Sequence, residues 1–142
     1  MTGARSLDWA VLAVSLCNTM LLVWLGLTVL LNAERRTWGL WLAGGGLVLA
    51  AGFMASHSAI LAEGIRAASA GMTFWWHMGW SLAVVLPFSW YALMLWYAGY
   101  WDEAGAPLRR RHRPWLAMTA LWALGLVNVL LFANPFPSFD RV

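Results

Sequence analysis

Lysine is absent from this 142-residue chain, and charge of either sign is scarce: nine arginines and six acidic residues supply all of it. The charged fraction is 11% and the hydrophobic fraction 62%, whereas soluble domains have about 25% and 45–50%. Such a chain cannot cover its surface with polar groups, so the solvent for most of it must be lipid. The arginines gather at the ends of apolar segments instead of covering one face, which argues against a nucleic-acid partner.

Cysteine is almost absent too. Cys17 stands alone, which excludes a disulfide within the chain and a CxxC metal or redox site. The sequence also lacks paired carboxylates at membrane depth, a Ser-His-Asp order, an HExxH motif and a phosphate-binding loop. We therefore expect no enzymatic activity, no catalytic residues and no metal site built from side-chain clusters.

Long apolar segments are what the sequence does contain. Four of them, at residues 7–31, 38–62, 72–101 and 115–133, reach the ~20 residues that a hydrocarbon core requires. The alternating ~10-residue pattern of a membrane barrel is missing. The sequence predicts a single all-α integral membrane domain, with four transmembrane helices in an up-down bundle. Pro87 removes one backbone donor from the third segment, so a tilt or kink is expected there.

Arginine placement predicts the orientation. Six arginines flank one side of the predicted spans, and three flank the other. The six are Arg35, Arg36, Arg109, Arg110, Arg111 and Arg113, and the three are Arg5, Arg66 and Arg141. The positive-inside rule places the richer side in the cytoplasm of a bacterial inner membrane, with both termini outside. The RRRHR run at 109–113 is interpreted as a topology signal or as a lipid or partner surface, and His112 needs no separate role.

Small and polar residues inside the spans predict helix packing. Gly44, Gly52 and Ser56 follow an i, i+4 pattern in the second span, which lets two helix backbones approach closely. We expect this stripe to form the closest helix contact. Asn18 and Asn128 lie within the first and fourth spans, where their amides are expected to bond between helices.

His57 and His77 are the candidate cofactor ligands. Each lies about five residues inside its predicted span, so both rings are expected roughly 8 Å below the boundary on neighbouring helices. Two such histidines can ligate a haem iron or chlorophyll-type magnesium, with Trp76 and Trp80 as a flat apolar wall. A proton-responsive site and a purely structural role remain open, because Ser56 and Ser58 flank His57.

Residues 24–61, 87–102 and 108–116 together resemble the N-terminal multi-span membrane region of Chloroflexota-type bacterial sensory proteins, such as sensor histidine kinases. The resemblance implies a sensory or input domain and assigns no ligand residues. No kinase or cyclase region follows here, so we expect either a piece of a longer sensor or a short relative that acts as an accessory subunit. The alternative is a haem- or chlorophyll-binding subunit of an electron-transfer or light-harvesting complex. The expected partners are the lipid bilayer and other membrane protein subunits, or further copies of the chain.

Overall fold

The computed structural model describes residues 2–32, 37–66, 71–102 and 107–133. They form four α-helices and no β-strand. The helices are α1 (Thr2–Leu31), α2 (Trp38–Arg66), α3 (Met72–Tyr97) and α4 (Pro107–Phe132). Each contains a 26-residue stretch that is long and apolar enough to cross a membrane. The predicted all-helical class with four candidate spans is therefore confirmed.

Most of the apolar surface of these helices is not covered by the protein itself. Only 17%, 22%, 22% and 6% of the most apolar stretch of α1, α2, α3 and α4 is buried. Met20, Trp24 and Leu121 are 69%, 61% and 71% exposed. Apolar area in water costs about 25 cal/mol per Å². The surface is that of a multi-pass membrane protein, and α4 is its least covered helix.

The helices run up and down, and in the described residues each packs only on its neighbours in sequence. Ser15 contacts Ser58 and Gly26 meets Gly44, so α1 and α2 are antiparallel. Antiparallel pairing repeats between α2 and α3 and between α3 and α4. Since α1 and α4 do not meet within the described ranges, the contacts form an open row and not a closed ring.

The glycine triplet of α2, at residues 44–46, explains how that helix packs against two neighbours. A Cβ at Gly44 would lie 2.5 Å from Leu30 Cγ and 3.2 Å from the Gly26 carbonyl oxygen, both on α1. A Cβ at Gly46 would instead point to Ser89 of α3, 3.7 Å away. Two residues correspond to about 200° of helix rotation, so α1 and α3 lie on nearly opposite sides of α2.

The predicted small-residue stripe is divided between two helices. Gly44 faces α1, whereas Gly52 faces Leu82 and the fully buried Ser56 faces Gly79, both on α3. An i, i+4 step advances about 40° around a helix, so three steps turn the stripe by about 120°. The expectation of one continuous face is therefore corrected: the same residues serve both interfaces.

A glycine ends α3 four residues earlier than the predicted boundary at residue 101. Gly99 has a φ of 76°, which favours glycine because it has no Cβ. Its N–H donates to the Trp96 carbonyl, and the Tyr100 N–H donates to the Leu95 carbonyl, both at 3.0 Å. These two bonds form a Schellman motif, which satisfies carbonyls left free at a helix end.

Aromatic side chains cluster where α2 begins and α3 ends. The Trp38 ring lies edge-on to Trp101 at 4.3 Å and to Trp96 at 6.3 Å between centroids. Gly39 packs beneath the Trp96 indole, where any Cβ would overlap the ring. Edge-to-face pairs of this kind contribute about 0.5–1.5 kcal/mol each beyond the area they bury. The tryptophans at these two helix ends therefore fasten α2 and α3 together.

The fourth helix begins eight residues before the predicted span start at 115. Pro107 occupies its first position, where the missing N–H is not needed. Residues 109–113 consequently form its first two turns and are not a loop. α3 likewise remains helical through Pro87. Three arginines of the orientation argument, Arg35, Arg36 and Arg141, lie outside the described residues.

Candidate functional site

The imidazole of His57 is held by hydroxyl groups at the α1–α2 interface. Its Nδ1 lies 3.3 Å from Ser15 Oγ. Ser58 Oγ is 2.8 Å from both Ser15 Oγ and the Met54 carbonyl. Ser15 and Ser58 are buried, whereas His57 itself is exposed. Buried hydroxyls need partners, and this cluster satisfies them while fixing the plane of the exposed ring.

The second ring nitrogen of His57, Nε2, has no partner among the described residues. If Ser15 donates to Nδ1, Nε2 carries the hydrogen and can donate to a ligand oxygen. If Nδ1 donates to Ser15, Nε2 presents a lone pair that can ligate a metal. A polar nitrogen on an apolar surface is costly when unpaired, so either tautomer marks a position for a ligand or a partner group.

Three crevices of about 260, 470 and 390 Å³ adjoin one another on this side of α2, because all three are lined by Phe53. The first lies against α3, the second against α1, and the third between the two flanking helices. We call the surface formed by Phe53, Met54 and His57, with its walls on α1 and α3, the α2 groove. It is open because the backbones of α1 and α3 do not approach each other in the part of the chain that the structure describes.

Trp76 and Trp80 form one wall of the α2 groove, in the crevice that also contains His57. Their ring centroids are 5.8 Å apart with an interplanar angle of 75°. Three of the four predicted cofactor residues therefore lie together. Apart from Ser56, the rest of its lining is apolar, with Phe53 and Ile60 on its α2 side.

His77 lies on a different side of α3 and does not line this crevice. Gly79 faces α2, and His77 precedes it by two residues, which is about 200° of rotation. Its Nδ1 donates to the Thr73 carbonyl at 2.7 Å. The Nε2 of His77 is buried and has no partner among the residues that the structure describes, and the same holds for Ser81 Oγ one turn later. The helix rotation thus separates the two predicted histidine ligands.

The two predicted packing amides lie on exposed surfaces. Asn18 lines the crevice between α1 and α2. Asn128 is exposed and donates to its own Leu124 carbonyl at 2.8 Å. The i−4 carbonyl satisfies one amide hydrogen of Asn128 without a second helix. The expectation of a bond between helices is therefore corrected for this residue.

His112 has a contact that the sequence analysis missed. Its Nδ1 lies 3.0 Å from the Tyr91 hydroxyl, which joins α4 to α3. Around it, Arg110, Arg111 and Arg113 are exposed and Arg109 is half-buried. The sequence offers no spacing rule that pairs residues 91 and 112, because the pairing depends on how two helices align across an unconstrained connection.

The described residues contain no group of three or more histidine, cysteine, aspartate or glutamate side chains that could hold a metal ion. Fold and surface together define a class: a four-helix protein whose helices are each long and apolar enough to cross a membrane. Comparisons with known proteins add no narrower assignment, since no family model, curated protein or solved structure matches the chain.

Proposed function

We propose that this chain is a non-catalytic four-helix membrane module, a sensory or input domain or an accessory subunit, that packs against partner membrane proteins. The apolar, largely uncovered surfaces of all four helices support a position in the bilayer. We place the chain in the bacterial inner membrane, and the positive-inside rule orients it with the arginine-rich ends in the cytoplasm and both termini outside.

The observation that carries the proposal is the open α2 groove. A helix in the middle of the row leaves Phe53 and His57 on a concave face between two walls. Lipid tails do not hydrogen-bond, so they leave His57 Nε2 unpaired at a cost of roughly 1–3 kcal/mol. A polar group on a partner helix satisfies that nitrogen and fills the concave surface at the same time.

A photo-crosslinker at Phe53 tests this assignment in native membranes. We expect benzoylphenylalanine at Phe53 to give discrete products with another protein chain, either a partner or a second copy. The matched control is the same residue at Phe74, which is 60% exposed on α3 and lines none of the three crevices. Products that are equally strong at both positions, or absent from both, would count against a partner in the groove.

The alternative function is a haem- or chlorophyll-type pigment subunit. It is favoured by one arrangement: the Nε2 of an imidazole whose plane is fixed, beside two tryptophans in a largely apolar crevice. A bound haem would give a Soret band in the purified chain, and a chlorophyll would give its own visible bands. Because only His57 reaches this crevice, His57→Ala is expected to abolish such a band and His77→Ala to preserve it. A spectrum that contains tryptophan absorption alone removes this alternative.

A further inference from the structure

A further crevice, between α3 and α4, is lined by polar and basic side chains. It has a volume of about 360 Å³, and its lining consists of Tyr91, Arg111, His112, Trp115 and Thr119. No carboxylate of the residues that the structure describes lines it. Tyr91 lies six residues before the end of α3 and His112 five residues after the start of α4. At 1.5 Å per residue the crevice therefore lies within about 10 Å of the same end of both helices.

The hydrogen-bonding groups of this crevice are available donors. Arg111 is exposed and makes no hydrogen bond or ion pair with any residue that the structure describes. When Tyr91 donates its hydroxyl hydrogen to His112 Nδ1, the neutral ring carries its own hydrogen on Nε2. The Thr119 hydroxyl is already used, because it donates to the Trp115 carbonyl at 2.8 Å. Guanidinium and imidazole donors without a nearby carboxylate suit an anion with several oxygen atoms.

An apolar crevice continues directly from this polar one. It measures about 220 Å³ and is lined by Val84, Pro87, Phe88, Tyr91, Thr119, Trp122, Ala123 and Leu126. The shared residues Tyr91 and Thr119 join the two parts. From the level of Tyr91 to that of Val84 the apolar part runs seven residues, or about 10 Å, toward the middle of the helices. The whole cleft thus has a basic end near the helix termini and an apolar end below it.

We propose that this α3–α4 cleft binds an anionic phospholipid, with the phosphate at Arg111 and His112 and an acyl chain along Pro87 and Ala123. The basic end of the cleft, near the helix termini, matches the lipid phosphate. The apolar end, toward the middle of the helices, matches an acyl chain. Arg109, Arg110 and Arg113 belong to the same run at the start of α4, and each arginine near an anionic membrane surface contributes about 1 kcal/mol of attraction. The bound lipid covers part of α4, the least buried of the four helices. The assignment rests on the membrane position proposed above.

Lipid retention by the purified full-length chain tests the cleft. The chain is reconstituted in nanodiscs of phosphatidylcholine doped with phosphatidylglycerol, re-extracted, and analysed by native mass spectrometry. We expect one phosphatidylglycerol to be retained selectively, and Arg111→Gln to lower that retention about tenfold, since a charge-assisted bond to phosphate is lost. Arg113→Gln is the matched control: it removes the same charge from the same run, but Arg113 does not line the cleft. It is expected to change retention less than twofold.

Further measurements distinguish a phospholipid in the cleft from a phosphate ion bound at its basic end. Ala123→Phe fills the apolar part and is expected to lower lipid retention while thermal stability stays at the wild-type value. Millimolar inorganic phosphate is expected to leave the lipid bound, and full displacement by phosphate would mean an anion site without a chain site. If Arg111→Gln and Arg113→Gln lowered lipid retention equally, the lipid would be bound by a diffuse charged surface and not by the cleft. Sedimentation with pure phosphatidylcholine vesicles after an alkaline wash reports membrane insertion separately, so loss of the lipid site is not confused with loss of the membrane position.

Discussion

Gly44→Leu is expected to separate α1 from α2, whereas Gly45→Leu, one residue away, is expected to leave the fold intact. A side chain at position 44 meets Leu30 at 2.5 Å and the backbone oxygen of Gly26 at 3.2 Å. A backbone atom cannot rotate aside, so α1 must move as a whole. Overpacking of this kind costs about 1–3 kcal/mol, and occasionally more. For an interface held by close backbone approach, the result is loss of most of the α1–α2 contact.

The control is closely matched because both residues belong to the same triplet in the same helix. Nothing lies within 4 Å of a Cβ built on Gly45. Leucine also favours the helix over glycine by up to about 1 kcal/mol, so Gly45→Leu is expected to be neutral or slightly stabilising. Thermal unfolding in detergent, followed by circular dichroism, measures both variants. Equal midpoints for the two would show that the α1–α2 approach is not as close as the structure has it.

The sequence predicted Gly44 as a packing residue but not its partner. Gly26 stands alone in the first span, with no second small residue at i, i+4 to mark it as part of a motif. Its role follows only from the alignment of two helices, in which Gly26 and Gly44 place each other's carbonyl oxygens about 3.1–3.2 Å from the Cβ positions. Residue patterns within one helix carry no information about that alignment.

The helices themselves were predictable because hydropathy and length decide them in a membrane. The ends of the helices were less predictable. Hydropathy locates the hydrocarbon-compatible part of a helix, and Arg109–Arg113 are polar although arginine is a good helix former. The first turns of α4 were therefore interpreted as a loop. At α3 the apolar residues Tyr100 and Trp101 extended the predicted span past the Schellman motif, which a positive φ at Gly99 forms.

Part of the candidate site was predictable for a similar reason. Trp76 and Trp80 are one turn apart, so their common face is fixed by helix geometry alone. Helix geometry also fixes the position of His77, which lies about 60° around the α3 axis from Trp80. The decisive quantity was the rotation of α3 against α2, and it is set by Gly79 packing on Ser56. A single small residue thus decides that Trp76 and Trp80, and not His77, share a crevice with His57.

Cysteine labelling is expected to give an all-or-none result for the orientation. In a Cys17→Ser background, we expect Asn32→Cys and Arg110→Cys to react with a membrane-impermeant maleimide only from the cytoplasmic side. Ser69→Cys, in the connection between α2 and α3, is expected to react only from outside. The reason is that an arginine at the centre of the bilayer costs about 2.5–3.5 kcal/mol on insertion scales, and the two arginine-rich span ends together hold six.

The three labelled positions also test the fold. An inverted protein and a protein in which α2 or α3 does not span would give different labelling patterns. Residues 32 and 110 lie in or beside connections that an even number of spans separates, so they must label from the same side if α2 and α3 both cross. Exchange of all three patterns would invert the protein and place the α3–α4 cleft on the outer surface. Opposite sides for positions 32 and 110 would instead mean that one of these two helices does not span. In that case the groove between α1 and α3 could not lie within the bilayer, and His57 would have water as its partner.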